Sequence, residues 1–185
     1  MPTGLAMAEP IPTGVWAHRT LYVVLAAALL FLRLLPLGSV AGRWPGPDLL
    51  LCLTLVWVLR RPDYVPALLI AVVVLLEDVL LMRPPGLWAA MVVLAAEFLR
   101  ARAVLTRELT FLVEWLLVAG VILAATLGVR MVMAVTMLPQ VSLGQTLVQA
   151  LATILCYPVI VVASRLTFGV RKPATGETDV YGRRM

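Results

Sequence analysis

Five ionisable side chains fall inside apolar stretches of this chain: Arg33, Glu77, Asp78, Glu97 and Glu114. Charged groups in hydrocarbon are costly, and they serve ion or proton paths, ligand sites or pairing between helices. Glu77 and Asp78 sit in the last third of one apolar run. Arg33 lies at a similar depth on another, and Arg83 and Arg130 are near the same side. An ion pair between Asp78 and one of these arginines would remove two unpaired charges. Adjacent helical residues point about 100° apart. Glu77 and Asp78 therefore cannot share one partner geometry, which leaves one of them to face a second protein. No further acidic residue continues a relay, so Asp78 reads as a pin between helices rather than a proton path. Glu97 is one turn from Arg100 and Arg102 and reads as a local pair or a snorkelling side chain. Glu114 is within reach of Arg107 or Arg102.

Two periodic stripes add packing chemistry. Gly120, Ala124 and Gly128 recur every four residues, a spacing that lets two helix backbones approach closely. Ser142, Thr146, Gln149, Thr153 and Tyr157 recur at three and four residues. A polar stripe on a membrane helix avoids lipid, so it faces the bundle, a partner or a small pocket. Pro158 follows it and frees the carbonyl of Ile154, which predicts a kink there.

Reactive constellations are missing. There is no HExxH, no Gly-rich phosphate loop and no GxSxG. The one histidine is His18, and Cys52 and Cys156 both lie in apolar runs without a CxxC neighbour. Metal ligation, a disulfide framework and a hydrolase triad are not expected. The reading is a protein that is not an enzyme and holds no cofactor.

The elements that must position these residues are helices in a membrane. Hydrophobic residues are 62% of the 185-residue chain and mean hydropathy is +1.01, against roughly 45–50% apolar for a soluble domain. Six spans of about 20 residues leave short loops and no room for a separate soluble domain. The spans run over about 20–36, 48–60, 64–82, 87–99, 109–129 and 143–164. Residues 1–19 form a leader and 165–185 a polar tail. The first run resembles a signal peptide weakly, but it is long and Arg33 interrupts it, so it reads as a retained span. Asp48 is the expected N-cap of the second span, with Trp44 and Trp57 seating its ends at the interfaces. Only a Pro-bearing turn separates spans two and three, which makes them antiparallel neighbours. Residues 130–141 read as an apolar outer connection, a helix lying on the surface. The second span is short; if it only dips into the membrane, five spans remain.

With the amino terminus in the cytoplasm, eleven of the fifteen basic residues fall on the cytoplasmic side. They are Arg19, Arg60, Arg61, Arg100, Arg102, Arg107, Arg165, Arg171, Lys172, Arg183 and Arg184. Only Arg33, Arg43, Arg83 and Arg130 fall outside. Cytoplasmic loops carry the excess of Lys and Arg, so both termini are expected inside. The pI of 9.9 is then explained without nucleic acid, and the basic loop and tail are expected against anionic lipid.

An ordered set of short motifs carries a resemblance. Pro47-Asp48-Leu49-Leu50-Leu51, closed by Trp57-Val58-Leu59-Arg60-Arg61-Pro62, resembles the second span of the rod shape-determining protein family MreD. Val65-Pro66-Ala67-Leu68-Leu69-Ile70 and Leu76-Glu77-Asp78-Val79-Leu80 continue it. Arg83-Pro84-Pro85-Gly86-Leu87-Trp88 is similar to the turn after the family's membrane aspartate. Glu97-Phe98-Leu99-Arg100 and Phe111-Leu112-Val113-Glu114-Trp115 resemble the alphaproteobacterial branch. The resemblance covers about residues 20–172. Asp78 and Gly86 match the family's recurrent Asp and Gly, Asp48 its start of span two, and Glu77 matches weakly.

That resemblance implies an all-α, six-helix polytopic protein of the bacterial inner membrane. Its architecture would be similar to the substrate-binding subunits of energy-coupling-factor vitamin transporters. It implies a non-catalytic scaffold of the cell-wall elongation complex that binds the bitopic protein MreC. Through MreC it would be linked to MreB, RodA and a class B penicillin-binding transpeptidase. Asp48, Asp78, Gly86, Arg33, Glu114, Gly120, Ala124, Gly128 and Gln149 are the structural or partner-binding candidates. The rival expectation is a vitamin-type transporter subunit with a pocket near Arg33, Asp78, Arg130 and the last polar stripe. The first span lacks the alanine-every-fourth-residue pattern such a subunit would carry, holding only Ala26-Ala27-Ala28.

Overall fold

The computed structural model describes residues 13–35, 45–106 and 110–168. Among them are six helices, one 3-10 turn and no strand: α1 (Thr13–Leu34), α2 (Leu49–Arg60), the 3-10 turn (Pro62–Tyr64), α3 (Ala67–Leu80), α4 (Leu87–Thr106), α5 (Phe111–Val135) and α6 (Leu143–Phe168). The leader up to residue 12, the connection at 36–44 with Arg43 and Trp44, Arg107, and the basic tail from 169 lie outside the described residues. Three helices are long and apolar enough to cross a membrane: Gly14–Leu34, Phe111–Val135 and Leu143–Thr167. α4 has the length, but its second half carries Glu97, Arg100 and Arg102.

The shortest helix is the centre of the molecule. α2 has 12 residues, of which all but Leu49 are buried, and at 1.5 Å per residue it is about 18 Å long. It packs against α1, α4 and α6. A helix apolar on every face belongs inside a protein, and Leu-Leu-Leu-Cys-Leu-Thr-Leu-Val-Trp-Val-Leu has no solvent or lipid stripe to spare. Its N-cap is Asp48, whose carboxylate accepts from the Leu51 amide at 3.1 Å. Trp57 is fully buried between Tyr22 and Tyr64, so it does not seat a helix end at an interface. The hydroxyls of Tyr22 and Thr54 are 2.8 Å apart, a hydrogen bond joining α1 to α2.

Three sequence expectations are corrected by packing. α3 lies against α4 and α1 rather than along α2. The reason is the 3-10 turn and the extended Val65-Pro66 pair after it, which carry the chain away from α2. Arg19 holds that turn from one side, donating to the Asp63 carbonyl at 3.1 Å, and Arg100 from the other, donating to the Val65 carbonyl at 2.6 Å. Second, residues 130–135 are not a surface helix; they are the last turns of α5, because nothing in Arg-Met-Val-Met-Ala-Val stops a helix. Third, α6 runs on to Phe168 with Pro158 inside it, beyond the expected last span of 143–164. The Ile154 carbonyl that Pro158 cannot reach is taken by the Trp115 indole N–H of α5 at 2.9 Å, so the defect in one helix becomes a bond between two.

α3 and α5 end alike. At α3, the amide of Arg83 reaches the Asp78 carbonyl (2.9 Å) and that of Met82 reaches Val79 (3.2 Å). At α5, Leu138 reaches Met133 (3.0 Å) and Met137 reaches Ala134 (3.2 Å). Both are Schellman caps, which place one residue in the left-handed region. Here that residue is Met82 (φ 51°) or Met137 (φ 53°), both almost wholly exposed. A side chain costs energy at positive φ and glycine avoids that cost. Met82→Gly is therefore expected to stabilise the fold by about 0.5–1 kcal/mol, read as a higher melting temperature in mild detergent.

Candidate functional site

The ionisable residues assemble into three centres, and the pairings differ from those that spacing alone suggests. The first joins α1, α2 and α3. Arg33, in the last turn of α1, places Nη1 2.5 Å from Glu77 Oε1 and 3.3 Å from Asp48 Oδ2. Arg83 Nη1 lies 3.7 Å from the same Glu77 oxygen and its guanidinium sits over the Trp88 ring. Glu77 is 1% exposed. Glu77, not Asp78, is thus the partner of the arginines. A basic group near the carboxyl end of α1 and an acidic cap on α2 both suit the helix dipoles.

Asp78 forms the second centre. It is fully buried, and one oxygen, Oδ2, accepts from the backbone amides of Gly86 and Ala89, each at 3.1 Å. These are the orphan donors at the start of α4. A carboxylate from α3 therefore does the work that an N-cap residue normally does from its own helix. Gly86 has φ +87°, a conformation natural only to glycine. The obstacle to a side chain there is φ rather than space, since a Cβ would meet only Leu75 Cδ1, at 4.0 Å. Oδ1 of Asp78 meets no donor among the described residues. Neither Glu77 nor Asp78 faces outward, so neither presents a charge to a second protein.

The third centre lies where α2 ends and α5 begins. Glu114 accepts from Arg60 Nη2 at 3.2 Å and from the Tyr157 hydroxyl at 3.0 Å. Glu114 is 1% and Arg60 7% exposed. Spacing does not single out Arg60 as its partner, because the two are 54 residues apart and Arg60 belongs to a basic cluster that reads as a topology marker. Both ends match the dipole rule, an acid in the first turn of α5 and a base in the last turn of α2. Glu97 pairs locally with Arg100 on the surface of α4.

The polar stripe of α6 divides between two tasks. Thr153 accepts from the Asp48 amide at 2.9 Å, and the Thr153 carbonyl accepts from the Cys52 thiol at 3.2 Å. With Tyr157 on Glu114 these bonds stitch α6 to α2 and α5. Thr146 and Gln149, with Thr153, also line a cavity of about 250 Å³ that receives Arg83, Trp88 and Arg130. Arg33 and Asp78 do not line it. Of the small-residue stripe, only Gly128 is in a close approach: a Cβ there would be 3.0 Å from Met91 Cε of α4. Gly120 and Ala124 are exposed and floor an open apolar groove of about 500 Å³ between α4 and α5.

The four buried carboxylates of the described residues are therefore engaged in tying elements together: Asp48 caps and pairs, Glu77 gathers two arginines, Asp78 caps a neighbouring helix and Glu114 joins α2, α5 and α6. No protein-family profile, curated protein or solved structure matches the chain.

Proposed function

We propose that this chain is a non-catalytic membrane scaffold of the MreD type, a six-pass bundle of the bacterial inner membrane with both termini in the cytoplasm. It would bind MreC, and through it MreB, RodA and a class B penicillin-binding transpeptidase, to keep cells rod-shaped. The observation that carries this reading is the bond between Asp78 and the Gly86 amide. The two positions that match the family's recurrent Asp and Gly are hydrogen-bonded to each other at the α3–α4 turn, where each needs the other. The chemistry agrees, because the carboxylates at membrane depth serve as pins. The distribution of Lys and Arg supports the orientation and places the basic loop and tail beside anionic lipid.

On this reading the partner's single membrane helix lies in the groove between α4 and α5. Exposed Gly120 and Ala124 allow its backbone to come close, while Met91, Leu94, Phe98 and Leu116 form the walls. The test has two arms. Depletion is expected to turn rods into spheres, and affinity purification in mild detergent is expected to recover the bitopic partner. Gly120→Leu should reduce that recovery several-fold while the protein still elutes as a single species, and Asp78→Ala should weaken it as well. Normal rods after deletion, in a host with no second copy, would reject the proposal. So would labelling of a cysteine placed at Asp63 from outside intact cells.

A second reading, a small-molecule subunit of a vitamin-type transporter, is favoured by the cavity that Arg130 and Gln149 share. A vitamin carried through purification would promote it over the scaffold.

A further inference from the structure

The cavity lies at the end of the bundle where α2, α4 and α6 begin and α5 finishes. The scaffold reading gives it no task. Its lining includes the buried Leu51, Ile122 and Ala150, and the α5–α6 connection contributes Gln140 and Val141. We infer that it holds the phosphate end of a membrane lipid, with Arg130 and Arg83 binding the phosphate and the apolar walls receiving the first carbons behind it.

Charge is the first argument. Two arginines from separate elements line the cavity, Arg83 and Arg130, and one acidic residue, Asp48, lines it as well. Both Asp48 oxygens are already engaged, one by the Leu51 amide and the other by Arg33. The lining is therefore positive, with its single negative group turned to other partners. Arg130 has no carboxylate partner among the described residues. It spends one nitrogen, Nη1, on the Val141 carbonyl (2.8 Å) and the Thr146 hydroxyl (2.9 Å). Its Nε and Nη2 meet no acceptor among the described residues. Arg83 makes no side-chain hydrogen bond among them; its nearest carboxylate oxygen, 3.7 Å away, is held more closely by Arg33.

Preorganisation is the second. Arg130 is fixed from two sides, because Gln140 donates to its carbonyl at 3.2 Å while Val141 and Thr146 hold its head. A donor already ordered costs little to use on binding. Arginine forks suit phosphate oxygens, and two forks from separate elements suit a tetrahedral group better than a planar carboxylate, which one fork satisfies.

Size and polarity are the third. The cavity, at about 250 Å³, takes a headgroup and the start of a chain, and the rest of the chain lies outside it. Leu87, Ile122, Met133 and Ala150 supply apolar lining beside the arginines. A free phosphate uses the arginines and leaves that lining wet; a lipid uses both.

The test compares three probes on delipidated protein in detergent, by native mass spectrometry titration: phosphatidylglycerol, the matching diacylglycerol, and glycerol phosphate. Phosphatidylglycerol is expected to bind at least tenfold more tightly than either of the others. Arg130→Gln is expected to lose at least tenfold of that affinity, and Arg165→Gln, exposed near the far end of α6, to lose a few-fold at most, as a surface charge beside anionic lipid does. Should Arg130→Gln not elute as a single species, Arg83→Gln carries the same expectation. Equal binding of phosphatidylglycerol and diacylglycerol overturns the proposal. So does equal loss in Arg165→Gln, which marks general surface adsorption, or glycerol phosphate binding as tightly as the lipid, which marks a site for a soluble anion. None of these outcomes depends on whether MreC binds, so the scaffold reading stands or falls separately.

Discussion

Glu114→Leu is expected to destabilise the protein by about 3–5 kcal/mol, the usual cost of removing one member of a buried ion pair. The loss comes from what remains. Arg60 stays charged and buried at 7% exposure, and its Nε already meets no acceptor among the described residues. The Tyr157 hydroxyl also loses the acceptor it has at 3.0 Å. Neither group can turn to water, because α2 is enclosed by α1, α4 and α6. Replacing both charges is expected to behave differently. Arg60→Met with Glu114→Leu removes the stranded cation, and apolar replacement of a whole buried pair is often close to neutral. The double variant should therefore recover most of the loss. The measurement is a double-mutant cycle on thermal unfolding in mild detergent. A double variant as unstable as the sum of the singles would mean that the pair contributes nothing as a pair.

Asp78→Ala is expected to cost about 3 kcal/mol, since it leaves a buried and a part-buried backbone donor without the charged acceptor they share. The amides of Gly86 and Ala89 are the opening donors of α4, so the damage should begin as fraying of that helix. Hydrogen exchange is the discriminating readout: protection should fall at the start of α4 before it falls in α5 or α6. Asp78→Asn retains an acceptor oxygen and is expected to lose less than half as much. A uniform loss of protection across all six helices would show that Asp78 acts through bulk packing and not as a cap.

Both expectations rest on pairings that the sequence did not contain. Spacing places Glu77 and Asp78 on one helix and three arginines near the same depth, and it suggests Asp78 as the ion-pair partner. The fold turns α3 so that Glu77 meets Arg33 and Arg83, while Asp78 meets the backbone of α4. One helical step decides which acid is salt-bridged and which is a cap. Glu114 likewise has arginines nearer in sequence, yet it reaches one 54 residues away. The small-residue stripe shows the same limit. Its period is visible in the sequence, but only Gly128 sits in a close approach, and Gly120 and Ala124 face outward.

What the residues settle by themselves is local. Apolar runs of span length, broken by Pro, Gly and Arg clusters, give the six helices of the described residues. Asp48 starts α2, and the Arg60-Arg61-Pro62 break ends it, where a sequence reader would put them. Caps and prolines act within a turn of their own position, so they can be read along the chain. The centrality of α2, the displacement of α3 from its chain neighbour and the partners of every buried charge belong to the tertiary structure. They depend on how each helix is rotated about its axis and which neighbour it meets. Rotation is decided by side chains packing from all elements at once, and no short window of sequence holds that information.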